Sequence, residues 1–416
     1  MSVPTGSVGA RPVVHKYGGS SLATLARIRR VAGLVAAARS ACPGVVVVVS
    51  AMGETTDRLL AQAHHLHPRP PARELDALLA TGETVTAPLL AMALDALGVP
   101  AVSLSGLQAG IRTAPHHRRA RIVDVVPRRI LDELGSGRVV VVAGFQGVIA
   151  DTLETTTLGR GGSDTTAVAL AAALRADICE IFTDVRGVFT ADPRVVASAR
   201  RLDRIGYQEM LELAAVGAAV LHPRAVEIGA AHSVPIRVRS TFHPRDAGTL
   251  ICREPPVEPR QKVRGIAFQE DVVKVTVVRV PDRPGIAAAI FTPLAEAGIS
   301  VDAIVQNVSH EGLTDLSFTV AGADLATVTD LLPAIVAGVG AASVSIDPAI
   351  AKVSVVGTGV LGSPGVAARM FRALADAGIN IEMIAASEIR ITATVPAAQL
   401  TQAVRALHRA YELERL

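Results

Sequence analysis

Tryptophan is absent from this 416-residue sequence, and tyrosine is limited to three residues and phenylalanine to eight. Ala, Val and Leu must do the packing instead, which suits alternating layers of helix and sheet. Cysteine is nearly as scarce. Cys42, Cys179 and Cys252 are odd in number and far apart, which argues against a disulfide framework and fits small hydrophobes in a reducing compartment. Charge of one sign is also lacking. The 41 Lys and Arg against 38 Asp and Glu leave a net charge of +3. With no basic stripe interleaved with aromatics, no nucleic-acid partner is expected. The all-valine run Val45–Val49 is far too short to span a bilayer, so no membrane partner is expected either. The N-terminal MSVPTGSVGARP has no apolar core of the kind a signal peptide needs. These absences together imply a cytoplasmic protein. Metal ligands are missing too. His64, His65, His67, His116 and His117 have no Cys or acid partners at ligand spacing, so no metal motif is assigned.

What the sequence does have is a large apolar share, half of all residues, and length enough for two or three domains. Its organising stretch runs from Thr155 to Arg194, TTTLGRGGSDTTAVALAAALRADICEIFTDVRGVFTADPR. A glycine-rich turn, Leu158 to Asp164, opens an Ala/Leu helix expected over 165–175. Glycines allow close approach of backbone to a bulky anion, and a helix start offers unpaired N–H groups. A strand at 178–183 follows, ending in a second polar loop that holds Asp184, Asp192 and Arg194.

Other strands end in the same way. Residues 1–11 read as disordered. Val13 to Tyr17 reads as a strand that runs into Gly18-Gly19-Ser20-Ser21, with Lys16 placed to meet phosphate oxygens. A helix is expected over 22–39. The Val45–Val49 strand leads into Ser50-Ala51-Met52-Gly53 and Thr55-Thr56-Asp57. Residues 71–96 read as helices interrupted by Thr81-Gly82-Glu83. Strands are expected at 99–104 and 139–142, the latter ending in Ala143-Gly144-Phe145-Gln146-Gly147. Arg204-Ile205-Gly206 reads as a turn before a helix from Tyr207 to Val220, and 234–240 as a strand. Buried strands, intervening helices and polar carboxyl-end loops describe an open, mostly parallel α/β sheet, which binds its ligands beyond those ends.

The C-terminal part contains an internal repeat. Lys274-Val275-Thr276-Val277-Val278 matches Lys352-Val353-Ser354-Val355-Val356, and Pro284-Gly285-Ile286-Ala287-Ala288 matches Pro364-Gly365-Val366-Ala367-Ala368. Leu294 to Val301 likewise matches Leu374 to Ile381. Each copy reads strand, Pro-Gly turn, helix, strand, which implies two tandem α+β modules. Neither is comfortably large alone. The Pro- and charge-rich CREPPVEPRQK, residues 252–262, reads as a linker. The expected domains are 12–250, a linker at 251–265, and modules at 266–345 and 346–416.

These residues resemble the aspartate kinases of the amino-acid kinase family over nearly the whole chain, from about 12 to 411. The resemblance rests on Lys16 to Ser21, Ser50 to Gly53, Thr81-Gly82-Glu83, Thr157 to Asp164, and Thr183-Asp184 through Asp192-Pro193-Arg194. The tandem modules resemble paired ACT domains of ferredoxin-like α+β fold. The resemblance implies ATP-dependent phosphorylation of the L-aspartate side-chain carboxylate, the first step toward lysine, threonine and methionine. Lys16 and Asp164 are the implied catalytic residues. Lys16, Gly18, Gly19 and Ser20 would face the transferring phosphate. Ser50, Thr56, Glu83, Arg160 and Asp164 would form the aspartate site, with Arg160 on the α-carboxylate and Glu83 or Asp164 on the ammonium. Thr183, Asp184, Phe189, Asp192 and Arg194 would form the nucleotide loop, Phe189 standing where a tyrosine is usual. Asp282, Gly285, Ala287, Gln306, Asn307, Ser309, Asn380 and Ile381 match effector-binding positions, for lysine and/or threonine, and pairing of the ACT modules implies a homo-oligomer.

The side-chain inventory agrees with that chemistry. A carboxylate with a pKa of about 4 is already ionised at neutral pH, so no general base is needed. Charge on the γ-phosphoryl oxygens must be neutralised instead, by Lys16, backbone donors and Mg²⁺. The Mg²⁺ would be held mostly by ATP phosphates and water, with one Asp at most. One departure stands out. The family has Gly-(Ala/Ser)-Lys after the helix from Tyr207, and this sequence has Gly217-Ala218-Ala219. Arg186 and Arg224 are the candidates to replace the missing lysine. The alternative readings are a paralogue acting on another acidic amino acid, or a weakened enzyme that serves as an amino-acid sensor.

Overall fold

The computed structural model describes residues 11–217, 220–253, 262–306, 311–360 and 362–415. The stretch 1–10, expected to be disordered, and residues 254–261 of the expected linker lie outside the described residues. The described chain forms two compact units. The first takes residues up to Val188, Arg201–Ala215 and those described within 219–257. The second takes Phe189–Arg200 and those described within 216–218 and 258–416.

The first unit is built on an eight-stranded sheet. In spatial order its strands are Arg204–Gly206, Thr249–Cys252, Ile236–Ser240, Ile178–Thr183, Val13–Tyr17, Val45–Val49, Val139–Ala143 and Ala101–Leu104. Every pairing is parallel except that of Ile236–Ser240 with Thr249–Cys252. β-Branched residues favour such doubly covered strands, and all five valines of Val45–Val49 are fully buried. A second, four-stranded sheet joins Ile122–Val125, Ile111–Thr113, Gln146–Ile149 and Thr155–Thr157. Four neighbouring parallel strands bring Tyr17, Val49, Ala143 and Thr183 to one end of the large sheet, and the polar loops expected there follow each of them.

Four local expectations change, one being that the helix expected from Tyr207 to Val220 ends at Ala215. The helix expected over 22–39 is two elements, a 3₁₀ turn Gly19–Leu22 and a helix Leu25–Ala41, because the Thr24 side chain caps the second at the Arg27 N–H, 3.2 Å away. Thr81-Gly82-Glu83 does not interrupt a helix. Helix Ala72–Leu79 ends at Ala80, and those three residues are the first turn of Thr81–Asp95. Arg204–Gly206 is an edge strand parallel to Thr249–Cys252.

Two helical stretches, Ala72–Asp95 and Gly322–Val339, are long and apolar enough to cross a membrane. Each buries one apolar face inside its unit. Leu75, Leu79, Leu90 and Leu94 are buried in the first, and Val328, Leu332, Ile335 and Val339 in the second.

The second unit holds a six-stranded antiparallel sheet in the order Asp302–Gln306, Leu313–Ala321, Gly265–Pro281, Ser343–Val356, Arg390–Pro396, Met383–Ser387. The two central strands are long and serve both repeats. Val272 to Val278 pairs with Ile350 to Ser343, while Gly265 to Gln269 pairs with Val356 to Lys352. The residues just before the first repeat therefore complete the sheet of the second. Each repeat enters its helix, Ile286–Glu296 or Val366–Asp376, through a glycine with positive φ, 94° at Gly285 and 92° at Gly365. That conformation is open to glycine and strained for other residues.

Candidate active site

Lys16 lies one residue before the end of the Val13–Tyr17 strand. Strand alternation sends His15 and Tyr17 to the opposite face. Its Nζ lies 2.6 Å from Asp164 Oδ1, with both side chains about nine-tenths buried. The contact is an ion pair. Asp164 stands in the first turn of helix Gly162–Ala173, whose ten residues from Gly162 to Ala171 are all buried. The Gly18-Gly19 turn follows at once. Gly18 N–H donates to the Phe182 carbonyl at 3.2 Å, and Gly19 accepts from Gly53 N–H at 3.1 Å. A Cβ on Gly19 would lie 3.0 Å from the Ala51 carbonyl oxygen, so glycine permits the close approach of two strand-end loops. Ser20 is exposed, and its carbonyl accepts from Arg27 Nη1 at 2.6 Å.

Glu83 closes the cluster from helix Thr81–Asp95. It is 3 % exposed. Its Oε1 accepts from the Ala51 N–H at 3.0 Å, and its buried Oε2 has no hydrogen-bond partner among the described residues. Burial pushes the carboxyl up to about 7, against the Ala51 hydrogen bond and the nearby Lys16 charge, which pull it down. Glu83 is therefore poised to ionise when a cation arrives. Ser50, whose N–H donates to the Tyr17 carbonyl at 3.1 Å, and Thr56, in the first turn of helix Thr55–Leu66, lie on the loop that Glu83 holds. Arg160 is exposed on the glycine turn and makes no ion pair among the described residues.

The backbone of that turn is set by Gly161, at φ 65°. A Cβ there would lie 2.3 Å from the His222 ring. His222 caps helix Pro223–His232 through the Arg224 N–H at 3.3 Å. Its pKa is held below the ordinary imidazole value, chiefly by burial. Asp164 is close enough to push back the other way.

The expected nucleotide loop is divided between the two units. Thr183 and Asp184 belong to the first, with Thr183 Oγ1 donating to Asp184 Oδ1 at 3.0 Å. Phe189, Asp192 and Arg194 belong to the second. Arg194 forks onto Asp192, Nη2 to Oδ2 at 2.6 Å and Nε to Oδ1 at 3.1 Å, and this pairing holds the carboxyl below its ordinary range. The segment carrying them is anchored within its unit. Thr190 Oγ1 lies 2.9 Å from Nε2 of the fully buried His408, and the Thr190 carbonyl accepts from Ile266 N–H at 2.8 Å.

Among the expected effector positions, Asp282 and Gly285 share the exposed turn before helix Ile286–Glu296, Ala287 is exposed in that helix's first turn, and Gln306 ends strand Asp302–Gln306. Asn380 and Ile381 lie between helix Val366–Asp376 and strand Met383–Ser387. Asn307 and Ser309 lie outside the described residues, as does Ala219.

Both arginines suggested as replacements for the missing lysine are engaged elsewhere. Arg186 pairs with Asp246 at 2.5 Å. Arg224 donates to the Leu158 carbonyl at 2.7 Å and the Ala120 carbonyl at 2.9 Å. Sequence reasoning passed over His222 and Asp76 altogether. His222 carried a signal in the His-Pro pair that opens a helix, whereas Asp76, two residues after Glu74 in an amphipathic helix, carried none.

Residues 11–240 match the amino acid kinase family, and 274–336 and 353–411 each match an ACT domain. An aspartokinase of Mycolicibacterium smegmatis is 49% identical over 406 residues, 96% of both chains. The structure of E. coli aspartokinase III in complex with aspartate and ADP, its R-state, is 27% identical over 96% of this chain and 99% of that one, with a TM-score of 0.80. The same enzyme in complex with lysine and aspartate, its T-state, aligns over the same shares at 27% identity and a TM-score of 0.74.

Proposed function

The chain belongs to the aspartokinases of the amino acid kinase family, and from that premise we propose how its own residues carry phosphoryl transfer from ATP to the aspartate side chain. The β-carboxylate oxygen attacks the γ-phosphorus in line, the bond to the bridging oxygen breaks, and ADP leaves. Lys16 neutralises charge on the γ-phosphoryl oxygens, and the N–H groups of the Gly18-Gly19-Ser20 turn donate to the same group. Asp164 orients the Lys16 ammonium. Arg160 forks onto the substrate α-carboxylate, as a planar guanidinium suits. Glu83, ionised by the arriving charge, holds the substrate ammonium. Ser50 and Thr56 line the aspartate side. Thr183, Asp184, Phe189, Asp192 and Arg194 contribute to nucleotide binding.

Magnesium fits this donor set only as a partner of the nucleotide. No cluster of three or more His, Cys, Asp or Glu able to hold a metal ion occurs among the described residues. Bound with ATP, the ion would supply positive charge to the phosphate oxygens, and Asp164 or Asp184 would be the carboxylate to hold it.

The observation that carries this reading is the Lys16–Asp164 contact, 2.6 Å long and nine-tenths buried, beside the Gly18-Gly19 turn and Glu83. A hydroxylamine trap tests it. Purified protein with Mg-ATP and L-aspartate is expected to yield aspartyl hydroxamate; no product while ATP still binds would move the reading to another acidic amino acid or to a sensor.

The ACT domains regulate the kinase allosterically. Lysine and/or threonine is the proposed effector, bound near Asp282, Gly285, Ala287, Gln306, Asn307, Ser309, Asn380 and Ile381. The lysine-bound T-state of E. coli aspartokinase III supports this reading. The protein acts in the cytoplasm as a homo-oligomer joined through these domains. Ile304 and Ile384, 54% and 47% exposed on the two edge strands of the second unit, support that assembly.

A further inference from the structure

Arg160 sits on a turn that cannot hold itself. Two of its neighbours are glycines with positive φ, 79° at Gly159 and 65° at Gly161, and glycine adds conformational freedom wherever it stands. The Arg160 side chain is exposed, so its reach depends on how firmly the backbone before it is fixed.

Two side chains from different helices fix that backbone. Asp76, in helix Ala72–Leu79, is fully buried. Its Oδ1 accepts from Thr157 Oγ1 at 2.6 Å and from Arg118 N–H at 3.1 Å. Its Oδ2 accepts from Arg118 N–H at 2.9 Å and lies 3.1 Å from His117 Nδ1. Arg224, in helix Pro223–His232, bridges the Leu158 and Ala120 carbonyls with its two Nη atoms, at 2.7 and 2.9 Å. Ala120 N–H also donates to the Thr157 carbonyl at 2.9 Å. The loop 117–120 is thus stapled to Thr157-Leu158, two residues before Arg160. Arg118 holds a positive φ of 70°, a strained value that persists only where its surroundings impose it. A Cβ on Gly159 would lie 3.2 Å from the Arg118 carbonyl oxygen, so the turn rests directly on the stapled loop.

We propose that Asp76 and Arg224 are positioning residues for Arg160, and so set recognition of the substrate α-carboxylate without touching it. The proposal rests on the reading of Arg160 given above. It also accounts for Arg224, whose guanidinium donates to two backbone carbonyls. A misplacement of about 1 Å in a binding group costs on the order of 100-fold in rate, so a staple two residues away carries functional weight.

A kinetic double-mutant cycle on the full chain tests this, with product trapped as the hydroxamate. Thr157→Val keeps the side-chain shape and removes only the donation to Asp76. Arg224→Lys keeps the charge and removes the bridge. Arg160→Met removes the substrate contact. Arg160→Met is expected to lower kcat/KM for aspartate about 100-fold, and each staple variant about ten-fold, with KM for ATP moving less than about two-fold. In the Arg160→Met background the staple variants are expected to cause no further loss. If Arg160→Met leaves kcat/KM for aspartate unchanged, the reading of Arg160 fails and the proposal goes with it. If Arg160→Met behaves as expected, three outcomes overturn the proposal alone: staple variants without effect, losses that multiply with that of Arg160→Met, or an equal rise in KM for ATP.

Discussion

Lys352 and Asp302 tie the two ACT repeats together. The Lys352 ammonium, 3% exposed, lies 2.6 Å from Asp302 Oδ2 and 2.7 Å from Thr319 Oγ1. The relationship is reciprocal. Lys274 pairs with Glu382, and in the repeat Lys274 corresponds to Lys352 and Asp302 to Glu382. Each copy's lysine therefore meets the other copy's acid. Burial presses the Lys352 ammonium below its ordinary range, and Asp302 pushes it back up.

Removing the acid strands the buried cation. Asp302→Asn is expected to lower the unfolding free energy by about 2 kcal/mol, below the roughly 3–5 kcal/mol of a fully buried pair because the Asp302 side chain is largely exposed. Lys352→Met, which fills the space without a charge, is expected to cost less than about 1 kcal/mol. Urea denaturation of the full chain measures both. Equal losses in the two variants would contradict the account of the buried charge.

Glu83 makes aspartate binding depend on pH. Its carboxyl is pushed up to about 7 by burial, so below that pH it is protonated in the free enzyme, and binding the substrate ammonium must expel a proton. KM for aspartate is expected to rise as pH falls below about 7, by up to ten-fold per unit. Glu83→Gln is expected to bind weakly and to flatten that dependence. A KM profile that stays level from pH 5.5 to 8 in the parent enzyme would remove Glu83 from this role.

Gly161 combines a left-handed backbone with a neighbour in the way. Gly161→Ala is expected to lower kcat/KM for aspartate by at least about ten-fold, since φ alone costs roughly 1–2 kcal/mol for an L-residue. The overlap with His222 adds to that. His222→Ala in the same chain is expected to restore part of the loss by making room for the methyl group. No restoration would mean that backbone strain dominates over the steric clash.

His408 adds a stability term of known sign. Burial holds its pKa below the ordinary imidazole value of 6.5, with Glu414 opposing. The unfolded chain therefore takes up a proton below about 6.5 that the folded ring refuses, and stability is lost as pH falls through that window. His408→Gln, which keeps a partner for Thr190, is expected to flatten the dependence of Tm on pH between 5 and 7. An unchanged slope would assign the acid sensitivity to other groups.

The carboxyl-end loops were legible in sequence because parallel strands announce themselves by runs of valine, and their glycine turns follow directly. The repeat was legible because both copies keep the same turn and helix residues. Other features had no local signal. Gly265 to Gln269 completes the second repeat's sheet from a position before the first repeat, a pairing that only the folded topology brings about. Phe189–Arg200 groups with the second unit through Thr190 and His408, 218 residues apart, while its sequence reads as a continuation of the nucleotide loop. Asp76 looked like one more acid on a helix. Only burial and four converging contacts distinguish it.

The central claim is that Lys16, held by Asp164, carries the transferring phosphoryl charge. Its most direct test is the turnover of Lys16→Met, with ATP and aspartate binding measured separately on the same protein. A fall in kcat of about 100- to 1,000-fold is expected, the usual consequence of losing one preorganised charge-stabilising donor, with aspartate affinity within about three-fold of the parent. A kcat within about ten-fold of the parent would contradict that claim.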